Sequence, residues 1–118
     1  MSDFRHQFDL ESRLNESTRI RQKYAGRVPV ICTRSKTEKV VPSVQKIKYL
    51  VPEDLTMAQF MYVIRNRMQL RSDQSLYMFV NGGVMVPSSA LLKQIDSEHK
   101  NDDGFLYIEY AGESTFGN

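Results

Sequence analysis

The order of apolar periods in this chain predicts an α+β fold: a β-grasp sheet wrapped around one helix, with two additional N-terminal helices. Three stretches carry that expectation. Leu55 to Met68 places Met57, Met61, Ile64 and Met68 on one helical stripe. Val28–Thr33 and Lys46–Pro52 alternate as short strands. Asn81-Gly82-Gly83 is a hairpin turn between two β-prone runs.

Taken in order, residues 3–8 read as a short helix or turn anchored by Phe4 and Phe8. Asp9 suits the N-cap of a helix over 10–24, whose face is predicted to carry Leu10, Leu14, Ser17, Ile20 and Tyr24. Glu16 lies on its flank, four residues from Ile20. Gly26 is placed to end it in a left-handed turn. In Val28–Thr33, the face of Val28, Val30 and Cys32 is the expected core. Residues 34–45 are polar and basic and read as a loop.

Lys46–Pro52 is the expected docking strand. Lys48 and Leu50 point one way, Tyr49 and Val51 the other. Pro52 donates no ladder bond, which predicts an edge position open to another strand. Thr56 and Gln59 fit a capping box for the next helix. Phe60 and Val63 fall about 100° from its methionine stripe, and periodicity favours core for both. Leu76–Asn81 and Val84–Val86 read as a hairpin, Ser88 or Ser89 as the cap of a short helix bearing Leu91, Leu92 and Ile95, and Phe105–Tyr110 as the last strand.

Composition bounds the function. A chain of 118 residues with 41% hydrophobic content fits one domain. One cysteine, Cys32, permits no internal disulfide and fits a reducing compartment. Between Arg19 and Arg71 there are 12 Lys and Arg against 3 Asp and Glu. Such asymmetry predicts a basic face for acidic partners. No nucleic-acid motif accompanies it, so no nucleic-acid partner is expected. No signal peptide or membrane span is expected, which points to the cytoplasm. His6 and His99 lack metal-ligand spacing with Cys32, no nucleophile elbow or phosphate loop is present, and the pairs Glu53-Asp54 and Asp102-Asp103 read as solvated turns. The expectation is no enzyme, no cofactor and no metal.

The runs RVPVIC, KYLVPEDLTMAQFMYVIRNRM and EHKNDDGFLYIEYAGESTFG, with ESTRIRQKY ahead of them, resemble the autophagy ubiquitin-like modifiers, the GABARAP and autophagy-related protein eight family. The resemblance covers nearly the whole chain. It implies residues 1–26 as a helical extension, 27–110 as a ubiquitin-like β-grasp, and 111–118 as a flexible tail. It implies an aromatic-x-x-aliphatic peptide added as a parallel strand beside residues 48–52. The aromatic pocket would be Glu16, Ile20, Pro29, Ile31, Lys48, Leu50 and Phe105. The aliphatic pocket would be Tyr49, Val51, Pro52, Leu55, Phe60 and Val63, which moves Phe60 and Val63 from core to pocket wall. Arg27 and Lys46, with Lys48 and Arg67, would meet acidic residues flanking the peptide.

The tail is the other implied element. A processing cysteine protease, recognising Phe116 and Arg67, would cut after Gly117 and remove Asn118. Activating and conjugating enzymes would then join Gly117 to phosphatidylethanolamine. The protein would be a monomer in solution and would move from the cytoplasm to the autophagosome membrane, where it recruits cargo receptors. The alternative is an unconjugated adaptor holding acidic cytoskeletal surfaces such as tubulin through Arg19, Arg21, Lys23 and Arg27. The sequence departs from the family at Asp9, where proline is usual, at Ile47, where a basic residue is common, and in slightly longer segments after Arg34 and across Asn81–Pro87.

Overall fold

The computed structural model describes residues 4–38 and 40–112. Two helices, α1 (Phe4–Gln7) and α2 (Leu10–Lys23), precede β1 (Arg27–Arg34) and β2 (Lys48–Pro52). Then follow α3 (Met57–Met68), β3 (Tyr77–Val80), α4 (Leu92–His99) and β4 (Leu106–Ala111). The sheet order is β2-β1-β4-β3, with β1 and β4 parallel and the other neighbours antiparallel. This is the ubiquitin-like β-grasp with two additional helices. β2 is an edge strand, as Pro52 predicts.

The alternation of β1 distributes its side chains between two cores. Val28, Val30 and Cys32 join Met57, Phe60 and Ile64 of α3 and Leu92 and Ile95 of α4 in the main cluster. Ile31 points the other way, into a smaller cluster with Phe4 and Phe105, flanked by Ile20, Ile47 and Tyr107. The sheet is therefore covered on both faces. Ile47, the departure from the family's basic residue, fills the edge of this second cluster. Cys32 is fully buried, and desolvation raises its thiol pKa.

Local signals set the ends of the elements. Gln59 N donates to Thr56 Oγ1 at 3.1 Å and Thr56 N to Gln59 Oε1 at 2.9 Å, closing the capping box of α3. Asp9 accepts from Ser12 N at 2.8 Å and caps α2. Gly26 adopts φ +88° in the turn to β1.

Other expectations need correction. The return of the Asn81–Gly83 turn is not a strand: it is a single bridge between Val80 and Val84. The cap of α4 is Leu91, not Ser88 or Ser89, and its N–H donates to Gln94 Oε1 at 2.9 Å. Leu91 itself bridges Thr56, which ties the start of α4 to the start of α3. Phe8 is exposed, so Phe4 is the buried anchor of α1, and Arg5 lies over the Tyr107 ring at 4.9 Å.

The largest correction concerns α2. Leu10, Leu14 and Tyr24 are exposed, and the helix docks through a polar stripe, Arg13, Ser17 and Arg21. Their partner is the 101–104 turn. Asp103, expected to be solvated, is completely buried. Its carboxylate pairs with Arg13 at 2.6 Å and accepts from Phe105 N at 2.9 Å and from the Tyr107 hydroxyl. Its carbonyl accepts from Ser17 Oγ at 2.6 Å. Arg21 forks onto Asp96 at 2.8 and 2.9 Å and also donates to Gly104 O. Gly104, at φ +87°, has room for no Cβ, because Ser17 Oγ would lie 2.2 Å away.

Removing one partner of a buried ion pair strands the other. Asp103→Ala is therefore expected to cost about 3–5 kcal/mol in urea unfolding, against a few tenths for Asp102→Ala in the same turn. Equal, small losses for the two would contradict the buried pairing.

Candidate functional site: the cleft beside the free strand edge

The register of β1 and β2 builds a cleft directly. Pro29 lies opposite Leu50 and Ile31 opposite Lys48, and both pairs face away from the main core. Val28 opposite Val51 and Val30 opposite Tyr49 face into it. Pro29 has no N–H to give, and it sits where β1 lacks a β4 neighbour, since that pairing starts at Val30 opposite Leu106.

Helix α2 supplies the outer wall. A cleft of about 410 Å³ is lined by Ile20, Pro29, Lys48, Leu50 and Phe105, with Arg27, Lys46 and Tyr49 at its basic and aromatic side. Glu16 closes one end, its Oε2 2.8 Å from Lys48 Nζ. This pair is half exposed and contributes at most about 1 kcal/mol, so an incoming carboxylate can exchange for Glu16 at little cost. Six of the seven residues expected around an aromatic side chain thus converge on one cleft or its rim. Ile31 is buried one layer beneath, packed with Phe4 and Phe105. Phe4 stacks edge-on to Phe105 at 5.3 Å, so α1 forms part of the cleft's underside.

The second expected pocket is arranged differently. Phe60, Tyr49 and Val51 are core residues, and Phe60 meets Tyr49 edge to face at 5.7 Å. Only Pro52, Leu55 and Val63 remain open or partly open on that side. The two readings of Phe60 and Val63 split: Phe60 is core, as its period favours, and Val63 is surface.

Positive charge gathers around Tyr49. Lys46 Nζ lies 5.0 Å and the Arg67 guanidinium carbon 5.5 Å from its ring centre. Its hydroxyl donates to Lys46 O at 2.8 Å. Arg67, expected both as a protease contact and as a cation for acidic flanking residues, is thereby placed beside Tyr49 at the basic side of the cleft. Arg27 reaches the edge-strand carbonyl of Leu50 at 3.5 Å. Of the cations expected to hold acidic surfaces, Arg21 is consumed internally by Asp96, while Arg19 and Lys23 are exposed.

A second depression of about 380 Å³ lies between Arg5, Arg34, Tyr107 and the Asn81–Gly82 turn. It borders no residue of β2 and so gives an added strand no backbone to pair with. Among the described residues, no group of His, Cys, Asp or Glu could hold a metal ion, and no helix is long and apolar enough to cross a membrane. Phe116, Gly117 and Asn118 lie outside the described residues.

Comparison with known proteins agrees along the full length. The model of the family described as "Autophagy protein Atg8 ubiquitin like" matches residues 12–117. Autophagy-related protein 8 of Coccidioides immitis is 52% identical over 118 residues, covering 99% of this chain and 98% of that protein. Autophagy-related protein 8d of Arabidopsis thaliana is 45% identical over 117 residues, covering 99% and 96%. The crystal structure of Trypanosoma brucei ATG8 superposes with a TM-score of 0.89 at 37% identity, covering 99% of both chains.

The Tyr49 environment has a pH signature. Burial pushes its phenol from 10.0 up to about 12, because the ring has little water to solvate a phenolate. The unfolded chain ionises near 10 and the folded one two decades later. The stability contributed by neutral Tyr49 is therefore intact below pH 10 and lost as pH rises to about 12. Tyr49→Phe is expected to reduce the fall in unfolding free energy across that window; an unchanged alkaline slope would place Tyr49 in water.

Proposed function

Because the chain belongs to the Atg8 family of autophagy ubiquitin-like proteins, we propose that it is a modifier conjugated through Gly117 to phosphatidylethanolamine, which recruits receptors bearing aromatic-x-x-aliphatic segments to forming autophagosomes. The observation that carries the recruiting half is a free strand edge beside an apolar cleft with a basic rim. A peptide strand lying along β2 finds unpaired N–H and C=O groups there. Its aromatic side chain enters between Ile20, Pro29, Leu50 and Phe105, and acidic flanking residues meet Lys46, Lys48 and Arg67. The aliphatic residue rests on Pro52, Leu55 and Val63.

The conjugating half rests on family membership and on the tail. Gly117 offers a carbonyl with no Cβ beside it, which a nucleophile approaches freely. A cysteine protease removes Asn118, the activating and conjugating enzymes carry the new carboxyl as a thioester, and the lipid amine displaces the thiolate. The protein is a substrate in these steps, not a catalyst. Two acyl chains then hold it on the membrane, where one chain would hold it only marginally. The tubulin-type alternative is weaker, because Arg21, one of its four cations, is bound to Asp96.

Leu50→Ala removes the centre of the cleft without entering the main core. Its affinity for an aromatic-x-x-aliphatic peptide is expected to fall about tenfold, the equivalent of roughly 1.4 kcal/mol, while lipid conjugation continues. Titration calorimetry with peptide, paired with membrane flotation of the reacted protein, reads both. Gly117→Ala is expected to invert the pattern, binding peptide normally and staying off vesicles. Unchanged affinity for the first variant, or normal conjugation of the second, would refute the corresponding half.

A further inference from the structure

The segment between β1 and β2, featureless in sequence, wraps around the end of β4. Ser35 N donates to Tyr110 O at 2.8 Å, and the Tyr110 hydroxyl accepts from Val44 N at 2.9 Å and donates to Pro42 O at 3.2 Å. At the centre is a buried carboxylate. Glu38 is 2% exposed. Its Oε2 accepts the backbone N–H groups of Val40 and Val41, and its Oε1 accepts Gly112 N at 2.6 Å. Val41, also 2% exposed, closes over the same glycine. A Cβ on residue 112 would stand 2.6 Å from Val41 Cγ2 and 3.5 Å from both Glu38 oxygens. A glycine is required here for space.

Gly112 is the last of the described residues. From it, five residues lead to Gly117, a span of at most about 17–18 Å when fully extended. The buried Glu38 carboxylate holds three amides by charge-assisted hydrogen bonds, one of them that of Gly112. We infer that Glu38 is a positioning residue for C-terminal processing: it clasps Gly112 and so sets the point and direction from which Gly117 is presented to the processing protease. This rests on the conjugation reading above. Without the clasp, the next fixed point moves back to Ala111, which faces Tyr77 across the sheet. The tail gains about 3.5 Å of reach and loses its heading.

The test uses the full chain and a cysteine protease that processes this family. Glu38→Ala is expected to lower kcat/KM for cleavage after Gly117 by about tenfold or more, as misplacement of a reacting bond does. Affinity for an aromatic-x-x-aliphatic peptide should stay within about twofold, because the cleft is remote from Gly112. Hydrogen exchange should show the Gly112 amide protected in the parent chain and unprotected in the variant. Gly112→Ala opens the clasp from the other side. Val41→Ala added to it removes the colliding methyl and should restore cleavage, a rescue that general destabilisation does not produce. Deleting Ser114 should slow the parent chain more than it slows the Glu38→Ala variant, since the unclasped tail has reach to spare. A folded Glu38→Ala chain cleaved at the parental rate, or an unprotected Gly112 amide in the parent, overturns the clasp and leaves conjugation standing. A parent chain that is not cut, with Gly112 protected, overturns the processing role and the conjugation reading together.

Discussion

The Asp103 carboxylate is the junction on which the outer half of this molecule depends. It is buried against Arg13, the Tyr107 hydroxyl and the Phe105 amide, and its own carbonyl holds Ser17. These contacts join a helix near the N-terminus to the turn before β4. Tyr107 keeps its proton well beyond the ordinary phenol range, chiefly through burial and then through Asp103. Leu10 and Leu14 face water, so α2 is held by this junction together with the Arg21–Asp96 pair and the packing of Ile20 on the second cluster. With α2 held there, Glu16 and Ile20 stand beside β2 and give the cleft its outer wall. The candidate binding cleft is thus assembled by a polar contact that lies outside it.

An open strand edge is a hazard in most proteins, and here it is managed rather than removed. β2 has five residues and ends in proline, and Lys48 stands on its exposed face. These features discourage indiscriminate pairing. In the proposed reading, the cleft beside it favours a strand that carries an aromatic side chain at the right register. Specificity then comes from side-chain pockets, and affinity from a backbone ladder that any sequence could supply. The cations around Tyr49 add a preference for acidic neighbours, screened by salt.

Two buried carboxylates fix two parts of the molecule: Asp103 accepts from Arg13, the Tyr107 hydroxyl and the Phe105 amide, and Glu38 from the amides of Val40, Val41 and Gly112. Asp103 holds the helix that walls the cleft; Glu38 holds Gly112 at the end of β4. Such contacts are directional and lose most of their value if either partner shifts, which suits them to fixing position. Neither belongs to the hydrophobic core, whose composition would tolerate exchange among Val, Ile and Leu more readily.

Most of the secondary structure was legible in the residues themselves. The Thr56–Gln59 box, the Met57–Met68 stripe, the alternation in β1 and β2, and Pro52 at an edge are local patterns, decided by neighbours within four positions. The facing of Lys48 and Leu50 against Tyr49 and Val51 follows from the strand period alone. Burial was not legible in the same way. Asp103 and Asp102 are adjacent acids in one turn, and only the return of Arg13, ninety positions away, makes one a buried junction and leaves the other exposed. Phe60 and Val63 share a helix face by period, yet Tyr49 covers the first and the second stays 39% exposed. Glu38 looked like one charge in a polar loop until the end of β4 came to rest against it. Sequence determined which segments are helices and strands, because those choices are made over a few residues. Tertiary structure decided which polar groups are hidden, because that depends on what distant segment arrives to replace their water.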